Sequence, residues 1–370
     1  MKSIAFFSFS RSEFGILSPL ISRLKNDSFF KIKLFVGGTH LSKIYGKTIN
    51  EIKKDSIKID KKLNEFITKD NKSSIIINLI STTKKLNEIF SKNNFEFICI
   101  LGDRFELLSI LPLALQYKKK IIHIGGGDQT LGSLDNNVRK IISISSLYHF
   151  VLLKEHKKNL INQGIDKKNI FISGSLAIER FKNIKYLSKK EIFEKYDLNL
   201  NKSLTLLTLH PSLESEYLDY EEKIKLIFNL LKKNNVQTVF TLPNYENDSS
   251  KIIKILQKLK KKFDIKYLES LGFEDYNNMI KHCDFVIGNS SSAIIEAPYH
   301  RVPTINIGNR QDGRYFHKSI INISYKKKDL ERAIKKCYST VFKKAIKTQK
   351  FKYGNGNASN IILKKLKKYL

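Results

Sequence analysis

The chain has 370 residues, of which 41% are hydrophobic and 28% charged, and a formal net charge of +32. This composition is globular rather than disordered, the length suggests about two domains, and no apolar run approaches the roughly 18 residues that a membrane-spanning helix needs. The charge would suit a nucleic-acid partner, but of the 67 basic residues only nine are arginines, and the 58 lysines lie scattered in short runs such as 118–120, 260–262 and 326–328. Lysines dispersed in this way decorate solvated faces, so no specific nucleic-acid site is expected, although an anionic small substrate would be drawn to the surface.

The first apolar run, "SIAFFSFS", reads as a strand and not a signal peptide, because Arg11 and Glu13 follow at once and no small-residue cleavage site does. "ILSPLISRLKND" then shows helical spacing, and further short runs follow in order: "KIKLFVGG", "FEFICILGD", "KKIIHIGGG", "YHFVLLKE" and "NIFISGS". A lysine-rich segment from Ser175 to Asn201 separates these from a second series, "SLTLLTLHP", "VQTVFTLPN", "DFVIGNSS", "TINIGN" and "SIINIS". Helical stretches such as "KIIKILQKLKKKF" and "SSAIIEAPYHR" lie between them. Strands that alternate with helices and are apolar on both faces belong to buried parallel sheets. We therefore expect an α/β chain with a doubly wound domain over 1–175, a hinge over 176–200 and a second such domain over 201–345. The amphipathic end "NASNIILKKLKKYL", within 346–370, is expected to form a helix packing back on the first domain. Cys99, Cys283 and Cys337 are too few and too widely spaced for a disulfide framework or a zinc site, and the expected location is the cytoplasm.

Ligands of open parallel sheets bind beyond the carboxyl ends of the strands. The residues at those ends are Ser8, Ser10 and Arg11; Gly37, Gly38 and His40; Gly102, Asp103 and Arg104; Gly125 to Asp128; His210 and Pro211; Asn289 to Ser292; and Gly308 to Arg310. Polar groups so gathered would line one cleft between two facing domains. In "VIGNSSSAIIEAP", Ser290 and Ser291 at a helix start suit a diphosphate, and Glu296 suits ribose hydroxyls; the competing reading is that the serines merely cap the helix. Arg11 can grip a phosphate bidentately or pair with Glu13 at the surface. Asp103 is either a catalytic carboxylate or the cap of a helix starting at Phe105. His210 has the best placed functional imidazole, His40 stays open, and His149 reads as a core residue.

Eight stretches in order, "SRSEFG", "GGTHLSKIYGKT", "LGDRFELL", "HIGGGDQTLGSLDNNVRK", "TLHP", "PNYENDSSKII", "IGNSSSAIIEAP" and "NIGNRQDGR", resemble the hydrolysing UDP-N-acetylglucosamine 2-epimerases, in particular the branch serving sialic-acid-type sugars. The resemblance implies two Rossmann-like domains in a glycosyltransferase-B arrangement, with no metal and no nicotinamide cofactor. It implies a base that takes the C2 hydrogen of the sugar while the diphosphate leaves C1, giving a glycal, and then water addition with protonation of C2 from the opposite face. Asp103, Asp128, His210 and Arg139 are the catalytic candidates on this reading. Arg11, Gly288, Ser290, Ser291, Glu296 and Arg310 are the nucleotide-binding candidates, the substrate is a UDP-sugar, and a homodimer is expected.

The long loop "HIGGGDQTLGSLDNNVRK" departs from the family's pattern. Gly125 stands where the family has a second histidine, Asp128 for a glutamate, Asn136 for a catalytic glutamate and Lys140 for a final histidine. Asp128 can still ionise, whereas Asn136 has no titrating group near neutral pH; Asp135 is adjacent but points elsewhere. Three alternatives follow: a glycosyltransferase of the same fold, a catalytically weakened nucleotide-sugar-binding protein, and, on charge alone, a nucleic-acid-binding protein.

Overall fold

The computed structural model describes residues 1–43, 47–54, 57–66, 71–212, 220–243, 248–260, 262–263, 265–268 and 271–370. Parts of "GGTHLSKIYGKT" (44–46) and "PNYENDSSKII" (244–247) lie outside the described residues. The chain forms two compact units: Met1–Asp128, Leu134–Asn183 and Lys352–Leu370 make the first, and Gln129–Ser133 with Ile184–Phe351 make the second.

Unit 1 is built on seven strands, β1 (Lys2–Ser8), β2 (Phe30–Val36), β3 (Lys61–Lys62), β4 (Phe97–Leu101), β5 (Lys120–Ile124), β6 (Tyr148–Val151) and β7 (Ile170–Ile172). They pair in the order β3-β2-β1-β4-β5-β6-β7, every pair parallel. Unit 2 has six, β8 (Ser203–Thr208), β9 (Val236–Thr241), β10 (Ile265–Leu268), β11 (Phe285–Gly288), β12 (Thr304–Ile307) and β13 (Ile320–Ile323), in the order β10-β9-β8-β11-β12-β13, again all parallel. Both sheets thus wind outward in two directions from a reversal point, between β1 and β4 in one and between β8 and β11 in the other. In such sheets the crevice for a ligand opens where the order reverses, at the carboxyl ends.

All eleven apolar runs contain strands. The two strands the sequence does not announce, β3 and β10, are edge strands whose residues are not fully buried, so nothing forces their side chains to be apolar. Central strands differ: Ile4, Ala5, Phe6 and Phe7 of β1 are all sealed from solvent by helices on both faces. The helix Arg11–Lys25 lays Phe14, Leu17, Leu20, Ile21 and Leu24 into the same core as Ile362 and Leu366 of the helix Ala358–Tyr369. That C-terminal helix is further tied into unit 1 by Ser359, whose backbone N–H donates to Glu179 (2.8 Å) and whose hydroxyl accepts from Arg23 Nε (2.6 Å). The lysine-rich segment between the two series of strands folds into two short helices, Leu176–Phe181 in unit 1 and Lys189–Lys195 in unit 2. Among the described residues no helix is long and apolar enough to cross a membrane, and all three cysteines are buried free thiols.

One glycine sets the reversal point of unit 2. Gly288 ends β11 with φ +136°, and a Cβ there would lie 1.9 Å from the Thr208 carbonyl oxygen. Only a residue without a side chain lets the ends of β8 and β11 close on each other.

Candidate active site

The β1 end of unit 1 is organised by Glu13. Its Oε2 accepts hydrogen bonds from the backbone N–H groups of Phe9 (2.8 Å) and Ser10 (2.9 Å) and from the Ser10 hydroxyl (3.2 Å), which seals the start of the helix Arg11–Lys25. The carboxyl is buried, and this desolvation raises its pKa to about 7 against the opposing pull of Arg104. Arg11 therefore has no ion pair with Glu13: its guanidinium is half-buried at the helix start, and Nη1 is buried without a hydrogen-bond partner. A buried guanidinium nitrogen beside helix N–H groups fits an anionic group. His40 is fully buried, its ring nitrogens 2.9 Å from both the Ser8 and Thr48 hydroxyls. Desolvation, helped by Arg104 and Arg11, lowers its pKa to about 3, so it is a neutral structural residue.

At the adjacent ends of β4 and β5 the organising group is Arg139, from the helix Asp135–Ile144. Its Nη2 donates to Asp103 Oδ2 and its Nη1 donates to the Asp128 carbonyl (2.8 Å). One buried guanidinium thus brings two of the candidate carboxylate residues together. Asp103 is not a helix cap: the turn Phe105–Ile110 starts at Arg104 without a side-chain cap, and Arg104 pairs with Glu106 at 3.1 Å. Asn136 and Arg139, three apart on one helical face, are both buried, while Asp135 is partly exposed and Lys140 exposed. His123 on β5 is fixed between Ser143 Oγ (3.1 Å) and the Gly102 carbonyl (2.8 Å), and burial lowers its pKa to about 3. His149 on β6 is likewise buried, with its pKa lowered to about 4 by desolvation.

In unit 2 the β8 and β11 ends interlock through Asn289, whose Oδ1 accepts from the His210 N–H (2.7 Å) and whose Nδ2 donates to the His210 carbonyl (2.8 Å). Gln311 Nε2 donates to the Asn289 carbonyl (2.7 Å), and Arg310 Nε donates to that of Pro211 (3.2 Å), so the residues after β12 brace the same spot. Ser290 precedes the helix Ser291–Tyr299 but makes no side-chain cap bond; its hydroxyl lies 3.0 Å from that of Ser292, which is 2.5 Å from the Tyr276 hydroxyl. Burial, then Glu296, raises the Tyr276 pKa and keeps the phenol protonated. Ser291 is exposed and Glu296 half-buried on the same helix. The segment Gln129–Ser133 belongs to this unit, with Leu131 N–H donating to the Asp312 carbonyl (2.8 Å) and Gly132 so close that a Cβ would lie 2.4 Å from the Asn309 carbonyl oxygen.

Sequence reasoning assembled the strand-end residues but missed Glu13 as a buried carboxyl, Tyr276, Gln311, and His156, whose Nε2 stands 3.4 Å from Asp128 Oδ1. Glu13 alone had a readable signal, the Ser-x-x-Glu capping spacing from Ser10. Among the described residues no cluster of three or more metal-ligating side chains occurs.

The family profile described as UDP-N-acetylglucosamine 2-epimerase matches residues 22–367. The chain is 34% identical over 348 residues to a GDP/UDP-N,N'-diacetylbacillosamine 2-epimerase (hydrolyzing) of Campylobacter jejuni, covering 92% of this chain and 89% of that protein. It is 30% identical over 360 residues to the polysialic acid biosynthesis protein P7 of Escherichia coli, covering 97% and 92%. The crystal structure of a UDP-GlcNAc 2-epimerase from Neisseria meningitidis bound to UDP-GlcNAc has the same fold over all of both chains, with a TM-score of 0.85 at 18% identity.

The Glu13 carboxyl gives a pH signature. Its folded pKa of about 7 lies above the ordinary 4.5, so its contribution to stability is full below pH ~4.5 and is lost as pH rises through ~7. The loss is on the order of 3 kcal/mol. Denaturant unfolding between pH 4.5 and 8 is expected to show a shallower decline for Glu13→Gln than for the parent protein; parallel curves would refute the raised carboxyl.

Proposed function

The chain belongs to the UDP-N-acetylglucosamine 2-epimerase family, and we propose on that premise that it is a hydrolysing 2-epimerase acting on a nucleoside-diphosphate-activated 2-acetamido sugar. UDP-N-acetylglucosamine and its 2,4-diacetamido relatives make up the substrate class, a range supported by the names of the similar proteins. The observation that carries the reading is the pair of acidic residues at neighbouring strand ends, Asp103 and Asp128, joined through Arg139.

The C2 hydrogen of such a sugar has no adjacent carbonyl to acidify it, so its removal must be coupled to departure of the diphosphate from C1. A carboxylate accepts the C2 proton, the C1–O bond breaks, and a C1–C2 double bond forms. Water then adds at C1 while a proton returns to C2 from the other face, giving the manno-configured free sugar and the nucleoside diphosphate. Asp103 and Asp128 act as the acid–base pair, the two carboxyl groups that the ends of neighbouring strands supply. Arg139 keeps them oriented, and Asn136 supplies hydrogen bonding without titrating. On the nucleotide, Arg11 and Arg310 offset the diphosphate charge, Ser290 and Ser291 offer hydroxyls and helix-terminal N–H groups, and Glu296 accepts from ribose. Gly288 lets the backbone approach, and His210, set by Asn289, acts from the β8 end. Elimination of the diphosphate and addition of water leave the net oxidation state of the sugar unchanged, so the reaction calls for no redox cofactor. The product fits the biosynthesis of sialic-acid-type sugars.

Release of the nucleoside diphosphate and of free sugar, followed by chromatography, tests this. Asp128→Asn should fall by about 10²- to 10⁴-fold, the usual span for a lost general acid or base, whereas Asn136→Glu should raise turnover by restoring a titrating group. A parent protein that releases no free sugar, with an inert Asn136→Glu, would favour a nucleotide-sugar-binding protein instead.

The Arg11→Ala variant is expected to weaken UDP binding by ~1.5 to 3 kcal/mol, the scale of a charged hydrogen bond. Unchanged calorimetric affinity would remove Arg11 from the site.

We also propose a homodimer. The first half of the helix Lys72–Lys92 is inverted: Ser74, Asn78 and Thr82 face inward while Ile76, Ile77 and Ile80 are exposed, as expected of a surface covered by a second copy. Sedimentation should show a dimer that Ile80→Lys converts to monomer; a monomeric parent at micromolar concentration would contradict this.

A further inference from the structure

The turn that presents Asp128 is clamped by the helix Lys154–Asn162. Gly127 has φ +75°, and a Cβ there would lie 2.2 Å from the His156 carbonyl oxygen, so the turn and helix touch as closely as backbones can. Asn159 Nδ2 donates to the Gly127 carbonyl (2.9 Å), fixing the turn one residue before the acid. His156 then reaches the acid itself, its Nε2 lying 3.4 Å from Asp128 Oδ1 with both side chains almost wholly buried.

The other charged groups nearby are spoken for. Arg139 binds the Asp128 backbone carbonyl and the Asp103 carboxylate. On the helix, Lys157 donates to the carbonyls of Ile170 (2.6 Å) and Lys167 (3.1 Å), while Glu155 faces Lys352 at 3.9 Å. On β5, His123 is held by Ser143 and Gly102 and is neutral. His156 is a titratable side chain that the structure sets against the Asp128 carboxylate.

We propose that His156 is a positioning residue for the reaction, which fixes the plane of the Asp128 carboxylate and keeps a titratable partner on it in a site whose Asn136 has none. The inference rests on the reading of Asp128 as a proton-transfer group. Imidazole can donate through Nε2–H in both its neutral and cationic forms, so a hold on Oδ1 does not require a charged ring. A carboxylate with one oxygen committed in this way loses rotational freedom about its terminal torsion, which is otherwise broad. Proton abstraction from carbon is sensitive to such alignment, and a misplacement of about 1 Å can cost around 100-fold.

The test compares His156→Phe, which removes the donor, with His156→Gln, which keeps an amide donor. His156→Phe is expected to lower kcat by up to about 100-fold with KM changed by no more than about threefold, because substrate binding does not use the ring. His156→Gln should recover most of that loss, and both variants should melt close to the parent. Equal kcat for parent and His156→Phe would overturn the inference and leave the epimerase reading intact. A second measurement does not need activity. In long-range ¹H–¹⁵N spectra the His156 ring should titrate at lower pH in Asp128→Asn than in the parent, because the neighbouring anion is gone. If the parent releases no free sugar, the epimerase reading falls, and an unmoved His156 titration would also sink the pairing. The titration likewise decides the matter should His156→Phe not fold.

Discussion

The arrangement at the β4 and β5 ends of unit 1 depends on one buried guanidinium. Arg139 is 2% exposed, and a charge so far from water persists only if its donors are spent on strong acceptors. It spends them on the Asp103 carboxylate and the Asp128 carbonyl, which lie at the ends of neighbouring strands. The same bonds that satisfy the arginine therefore fix the spacing of two acidic residues. The glycines of the β5 turn serve that arrangement: Gly127 admits the helix Lys154–Asn162, and through it His156, to the far side of Asp128.

Unit 2 solves a different problem with similar means. An anionic ligand needs N–H groups, hydroxyls and a close backbone, and all three occur where β8 meets β11. Gly288 permits the contact, Asn289 locks it through two bonds to His210, and the serines follow at the start of a helix with hydroxyls not spent on capping. Arg310 and Gln311 brace the same point from the β12 end.

Much of this was legible in the sequence, because buried parallel strands must be apolar throughout and functional groups collect where such strands stop. Asp103, Asp128, His210 and Ser290 stand out as candidates by their position at strand ends. What stayed hidden were contacts made between distant segments. Nothing in "LYHFVLLKEHKKN" says that His156 faces Asp128, 28 positions earlier, since the contact depends on how closely a helix can approach a glycine turn. Glu13 announced its capping role through the spacing from Ser10, but not the burial that raises its pKa to about 7. His40 could be read either way until both ring nitrogens were seen to be committed. The edge strands β3 and β10 lacked the apolar signature for the same reason that they tolerate lysine.

Asn136 stands where a titrating group is expected, so the proposed reading assigns the proton transfers to Asp103 and Asp128, with His156 as a buried neighbour of Asp128. The measurement that bears most directly on this is ¹H NMR of the products formed from UDP-N-acetylglucosamine, and from a 2,4-diacetamido analogue, in deuterated water. Elimination followed by addition predicts free manno-configured sugar carrying deuterium at C2, together with UDP. Free sugar that keeps its original configuration and its protium at C2 would mean simple hydrolysis at C1 and would contradict a role for these carboxylates at C2.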